Sequence, residues 1–136
     1  MRTVKLGKES VELRGSALAP LTWYGAFGDD MLYDSLARME DQSKGPHMPM
    51  RDVLRVAWVM AHDADVAAGR EALGFEAWVA AHPDVDFMVL KEAVIAEAMA
   101  SFFPALDKAR RKVDRARGRA AESVAAGPGE EDGRLD

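Results

Sequence analysis

The residues of this chain best suited to chemistry are His62-Asp63-Ala64-Asp65, an adjacent imidazole and carboxylate with a second carboxylate two positions on. A metal-dependent phosphohydrolase would use such a pair as ligands, with further His and Asp supplied from other helices. The other histidines, His47 and His82, lie in a loop and beside Pro83, and their spacing demands no common ion. The simpler expectation places His62 at a helix C-terminus, where its positive form complements the helix dipole. Asp84 and Asp86 flank Val85 but lack the glycine and distal glutamate of a calcium loop. They are expected to start a helix, as is one of Asp29 and Asp30. The sequence holds no phosphate-cradling glycine loop and no nucleophile elbow. Zero cysteines exclude thiolate metal sites, disulfides and cysteine nucleophiles within it. No catalytic, cofactor-binding or metal residues are therefore assigned, and the chain is read as a non-enzyme.

The elements that position these residues follow from hydrophobic period. Composition is ordinary for a globular chain of 136 residues, 49% hydrophobic and 30% charged. No apolar run approaches the roughly 18 to 20 residues that span a bilayer, so no membrane segment is expected. Neither is a secretory signal expected behind Met1-Arg2, and the reading places the chain in the cytoplasm. Val4 and Leu6, then Val11 and Leu13, alternate with polar residues around Gly7-Lys8-Glu9-Ser10, which predicts a small β-hairpin. From Gly15 onward the pattern is helical. Ser16 is the expected cap of a helix bearing Leu18, Leu21 and Tyr24 and ending at Gly28. A second helix carries Leu32, Leu36 and Met39, and a loop spans residues 42–49.

Met50, Val53, Leu54, Ala57, Trp58 and Ala61 predict the clearest amphipathic helix, with Arg55 and His62 off its stripe. A short helix over Phe75 to Ala81 precedes one with Phe87, Leu90, Val94 and Ala98 on one face. Met88, Ile95, Met99 and Phe102 give that last helix a second apolar face, so it is expected to be central to the core or shared with a partner. The fold class is thus mainly α (α+β): an N-terminal β-hairpin, a compact bundle of about five helices and a polar C-terminal tail.

Charge divides the chain further. Residues 1–104 carry a net −6, residues 105–119 seven basic against two acidic side chains, and the last 17 residues a net −4. The expected pieces are a hairpin-plus-helix body over 1–104, a basic helical extension over 105–120 and an acidic disordered tail over 121–136. In a helical extension Leu106, Ala109, Val113 and Ala116 form a narrow apolar stripe among lysine and arginine. Nucleic acid, an anionic membrane surface and an acidic partner helix all fit such a segment. The first two are disfavoured by the lack of aromatic residues after Phe103 and of bulky apolar ones. On surplus apolarity and charge, the partner-contact candidates are Met88, Met99, Phe102, Phe103, Leu106, Arg110, Arg111 and Arg115.

The order of short motifs carries a resemblance. The hairpin is followed by Trp23-Tyr24-Gly25-Ala26-Phe27-Gly28-Asp29-Asp30-Met31-Leu32, then Leu54-Arg55-Val56-Ala57-Trp58-Val59-Met60-Ala61, then Phe75-Glu76-Ala77-Trp78-Val79, and a helix ending Phe102-Phe103-Pro104. Over residues 2–104 this resembles the tail assembly chaperones of long-tailed bacteriophages and prophages. Gly25 and Ala26 stand where that family carries acidic residues, and Pro20 is unusual in that helix. The resemblance implies a non-enzymatic chaperone of the host bacterial cytoplasm, absent from the finished virion. It implies binding to the tape measure protein and recruitment of tail tube subunits, with self-association left open. The second reading is a small helical adaptor or regulator that binds nucleic acid or an acidic partner through residues 108–119.

Overall fold

The computed structural model describes residues 1–41 and 48–126, with side chains throughout except at 41, 110 and 119–126. Strands β1 (Arg2–Leu6) and β2 (Glu9–Leu13) pair antiparallel, with Val4 opposite Val11 and Arg2 opposite Leu13. The turn is tighter than the alternation implies. Glu9 and Ser10 belong to β2, leaving Gly7-Lys8 as a two-residue loop whose Gly7 sits at φ 64°. That left-handed value is what such a turn requires and what a side chain resists. Six helices follow: α1 (Ala19–Phe27), α2 (Leu32–Asp41), α3 (Met50–Ala68), α4 (Phe75–Ala81), α5 (Phe87–Phe102) and α6 (Pro104–Ala126). The described chain is a mainly helical α+β fold.

Contacts divide it into two units, Met1–Phe102 and a second beginning at Phe103. In the first, α3 is the axis. Val53, Val56, Ala57, Trp58, Val59, Met60, Ala61 and Ala64 are all buried, so the helix is enclosed on nearly every side. It touches β2, α1, α2, α4 and α5. The expected stripe is therefore too narrow at α3, and Met50, assigned to it, is exposed. The buried face of α5 is the expected Leu90, Val94 and Ala98, with Phe87, Ile95 and Phe102 packed at its margins. A two-stranded sheet is marginal alone; here Val4, Leu6 and Leu13 are buried as β1 packs on α5 and β2 on α3.

Helix ends follow local chemistry. Gly28 and Gly69 close α1 and α3 in the left-handed region, at φ 78° and 75°. Asp86 Oδ1 accepts from the amides of Met88 and Val89, starting α5 as expected. Ser16 acts one turn early: its hydroxyl accepts from the Leu18 amide at 3.2 Å, and α1 begins at Ala19 with Pro20 in its first turn. Between α2 and α3, Arg38 clasps Asp52 with two nitrogens at 2.8 and 3.1 Å, and Ser35 donates to the same carboxylate. The Arg38 fork holds the Asp52 carboxyl below the usual range, against the opposing effect of burial.

Gly15, between hairpin and α1, lies so close to α5 that an added Cβ would sit 2.7 Å from the Ser101 Cβ. Gly15→Ala is expected to destabilise by about 1–3 kcal/mol through overpacking, read as a lowered urea midpoint with unchanged slope. A wild-type midpoint would count against this close approach.

In the second unit, α6 opens with Pro104 at its first position, where a missing N–H costs nothing. Pro104 therefore begins a helix as well as ending one. Leu106 and Val113 are exposed on it, and Arg111 pairs with Asp107 one turn earlier at 3.1 Å. The helix runs through Ala126, so residues 121–126, expected to be disordered, are helical. Residues 127–136 of the expected tail lie outside the described residues.

Candidate interaction surfaces

The His62-Asp63 pair lies in the body of α3, not at its end, because α3 continues to Ala68. The dipole-complementing role expected of His62 is thereby removed. Asp63 is buried, and its Oδ1 accepts from the Thr22 hydroxyl of α1 at 2.7 Å, with His62 Nδ1 at 3.3 Å on the same oxygen. The His62 ring also lies 5.1 Å from that of Trp58. A hydroxyl nucleophile needs the imidazole between itself and the carboxylate. Here the carboxylate is in the middle, so the trio can latch α1 to α3 but cannot relay a proton from Thr22 to His62. Asp63 Oδ2 is buried without a hydrogen-bond partner among the described residues, a desolvation cost that limits the latch's net gain.

His82 faces Glu9 at 3.4 Å, far from this trio in the chain, and His47 lies outside the described residues. Among the described residues no three His, Asp or Glu gather as a metal would require.

The aromatic motifs of α1, α3 and α4 converge. Phe27 is the hub, with ring centroids 4.8 Å from Trp23, 5.7 Å from Trp58 and 5.2 Å from Phe75, all edge to face. The Arg55 guanidinium lies 4.6 Å over the Phe27 ring, and Trp58 donates to the Leu73 carbonyl at 2.9 Å. Trp23 Nε1 donates to Asp29 Oδ1 at 2.7 Å, and the Met31 amide donates to the same oxygen. These bonds hold the Asp29 carboxyl below its ordinary range, the Trp23 bond contributing most. Trp23, Phe27, Gly28 and Asp29 thus build the corner between α1 and α2.

Open grooves border this body. One, of about 620 Å³, is lined by Phe27, Arg55, Trp58 and Phe75; another, of about 420 Å³, by Glu9, Glu12, Asp65, Arg70 and Glu71. In the second, Arg70 is tied to both Glu12 at 2.7 Å and Asp65 at 2.8 Å. Its charge is thereby largely answered within the protein.

Exposure sorts the partner-contact candidates. Of those on α5, Met88 stands in solvent beside exposed Val89. Met99 is half-buried, and Phe102 packs against the core, because the second apolar face of α5 is partly covered. Phe103, Leu106, Arg111 and Arg115 are exposed in the second unit, and the side chain of Arg110 lies outside the described residues.

Another apolar surface, on α1 and its N-cap Leu18, is absent from the candidates. Leu18, Leu21 and Tyr24 share one face at exposures of 47%, 70% and 54%, while Ala19 and Trp23 face inward. The sequence signal was available: two apolar stripes, 18/21/24 and 19/23/27, interleave within ten residues. One helix packed on one side can bury only one of them. Leu18, Leu21 and Tyr24 form an apolar face of the sort that marks protein contacts.

The second feature that sequence reasoning missed is Glu97 of α5, which is 1% exposed. It accepts from the Gly15 amide at 2.9 Å, the Ser101 hydroxyl at 2.6 Å and Arg2 Nε at 3.2 Å, with the α-ammonium of Met1 at 3.3 Å. Burial pushes the carboxyl up, and these donors together more than reverse it, leaving the group below the usual glutamate range. The arrangement is a clasp of β1, the Gly15 segment and α5.

Comparisons with protein-family models, curated proteins and solved structures find no match to this chain.

Proposed function

We propose that this chain is a non-enzymatic tail assembly chaperone of a long-tailed phage or prophage, acting in the host bacterial cytoplasm. It masks the apolar helical stripe of a tape measure protein until tail tube subunits cover it. The motif order over residues 2–104 supports the reading. The observation that carries it is the exposed Leu18-Leu21-Tyr24 face of α1 on a body of net charge −6. An apolar helix face takes up a partner's stripe by side-to-side packing, and the body's net negative charge keeps the complex soluble. Among the described residues no helix is long and apolar enough to cross a membrane.

Co-expression with the tape measure protein of the same gene cluster is expected to move that protein from the pellet to the supernatant and to yield a co-purifying complex. Leu21→Glu with Tyr24→Glu is expected to lose the complex while the circular dichroism spectrum stays unchanged, since both side chains are exposed. A tape measure protein that stays insoluble with the wild-type chain would sink the reading.

A second reading rests on a separate observation, the uninterrupted basic helix α6. A helical adaptor acting through residues 108–119 would keep its binding when α1 is altered. It would lose binding on truncation after Pro104.

A further inference from the structure

Helix α6 spans 23 residues, and between Leu106 and Ala116 its apolar positions fall at spacings of three and four: Leu106, Ala109, Val113 and Ala116. This is the spacing of an a/d seam, held over two heptads. All four seam residues are exposed, Leu106 at 53% and Val113 at 48%. With Leu106 and Val113 at a, the flanking e and g positions are Arg110, Lys112, Arg117 and Arg119. Every one is basic, and both acidic residues of the stretch, Asp107 and Asp114, fall at b, away from the seam. Asp107 is further engaged by Arg111 on its own helix.

That distribution discriminates among occupants. A second copy of α6 would set cation against cation across the seam in either orientation, since parallel pairs join g to e and antiparallel pairs join like positions. A phosphate backbone would answer the charge but leave about 15 Å of apolar seam in water. A bilayer surface asks for bulkier side chains than one leucine, one valine and two alanines. We propose that α6 is one helix of a heteromeric coiled coil whose partner helix carries Asp or Glu on both flanks of its own seam.

Ala109 and Ala116 shape that partner further. Small residues at alternate seam positions leave space across the seam. The partner then supplies the larger side chains opposite them. Two heptads bury little, so the flanking charges contribute much of the affinity and make it salt-dependent. The inference does not rest on the chaperone reading. It concerns a different unit of the chain and any partner with this charge pattern.

The full chain is titrated with two synthetic three-heptad helices, both with Ile and Leu in the seam, one flanked by Glu and one by Lys. One-to-one binding to the Glu-flanked peptide is expected, with none to the Lys-flanked one. The affinity is expected to fall roughly tenfold between 50 and 500 mM salt. Leu106→Gln with Val113→Gln keeps every charge and is expected to cost at least about tenfold in affinity; equal binding by this variant overturns the proposal. Lys112→Glu with Arg117→Glu is expected to move the preference toward the Lys-flanked peptide, and an unchanged preference also overturns it. So do self-association of the chain through α6, or displacement of the peptide by duplex DNA or anionic vesicles.

Discussion

Glu97→Ala is expected to lower the stability of the first unit by about 2–4 kcal/mol, the range for removing a buried charged acceptor and stranding its donors. Four donors converge on this carboxylate, and two of them are unequal to the others in what they lose. The Gly15 amide and Ser101 hydroxyl are left against α5, whereas Arg2 and the Met1 ammonium reach water. The loss should therefore appear chiefly as loosening of the hairpin and Gly15 segment from α5. Accelerated hydrogen exchange at Gly15 and along β1, exceeding that of α3, checks this.

The pH dependence has a definite sign. The folded Glu97 carboxyl titrates below its unfolded value, so its stabilisation is fully present above the ordinary glutamate range of about 4.3. It is lost as pH falls from there through the depressed value. Asp52, held down by Arg38, contributes in the same direction. The gap between the urea midpoints of wild type and Glu97→Gln should thus be wide at pH 7 and narrow at pH 3. A gap independent of pH would mean that the clasp acts through shape and hydrogen bonding alone.

Trp23→Ala should be at least as severe, about 3–5 kcal/mol, as expected when a buried tryptophan leaves a cavity. Trp23 is 1% exposed and touches Phe27 edge to face, so its loss also loosens the ring on which Trp58, Phe75 and Arg55 rest. Trp23→Phe separates bulk from polarity, since a phenyl ring fills most of the site without an N–H. In that variant the Asp29 carboxyl should titrate higher than in wild type, because its strongest donor is gone. Carbon-detected NMR titration of the Asp29 side chain measures this, and an unmoved Asp29 would contradict the assigned cause.

These two residues show how differently the chain could be read. Trp23 and Asp29 belong to one corner, six positions apart, and the aromatic, glycine and aspartate that build it are visible in order. Their partnership is local. Glu97 sits among apolar residues of α5; Ser101 is a local donor, but Gly15 and Arg2 come from 82 and 95 positions away. The His62-Asp63 pair shows the opposite failure. It attracts attention in sequence, yet the fold places Asp63 against Thr22, where the carboxylate separates the hydroxyl from the imidazole.

Period and capping chemistry alone determined the hairpin, the five helices of the first unit, Gly28 as a helix end, Asp84 or Asp86 as a helix start, and the apolar stripe of α6. Each depends on residues within a few positions of one another, which backbone geometry relates without knowledge of the fold. Tertiary structure alone decided which stripe of α1 is buried, that α3 rather than α5 forms the axis, and which donors meet Glu97. A helix apolar on two sides carries no local preference for either. The choice belongs to whatever packs against it, and on α1 the burial of Trp23 leaves Leu18, Leu21 and Tyr24 outward.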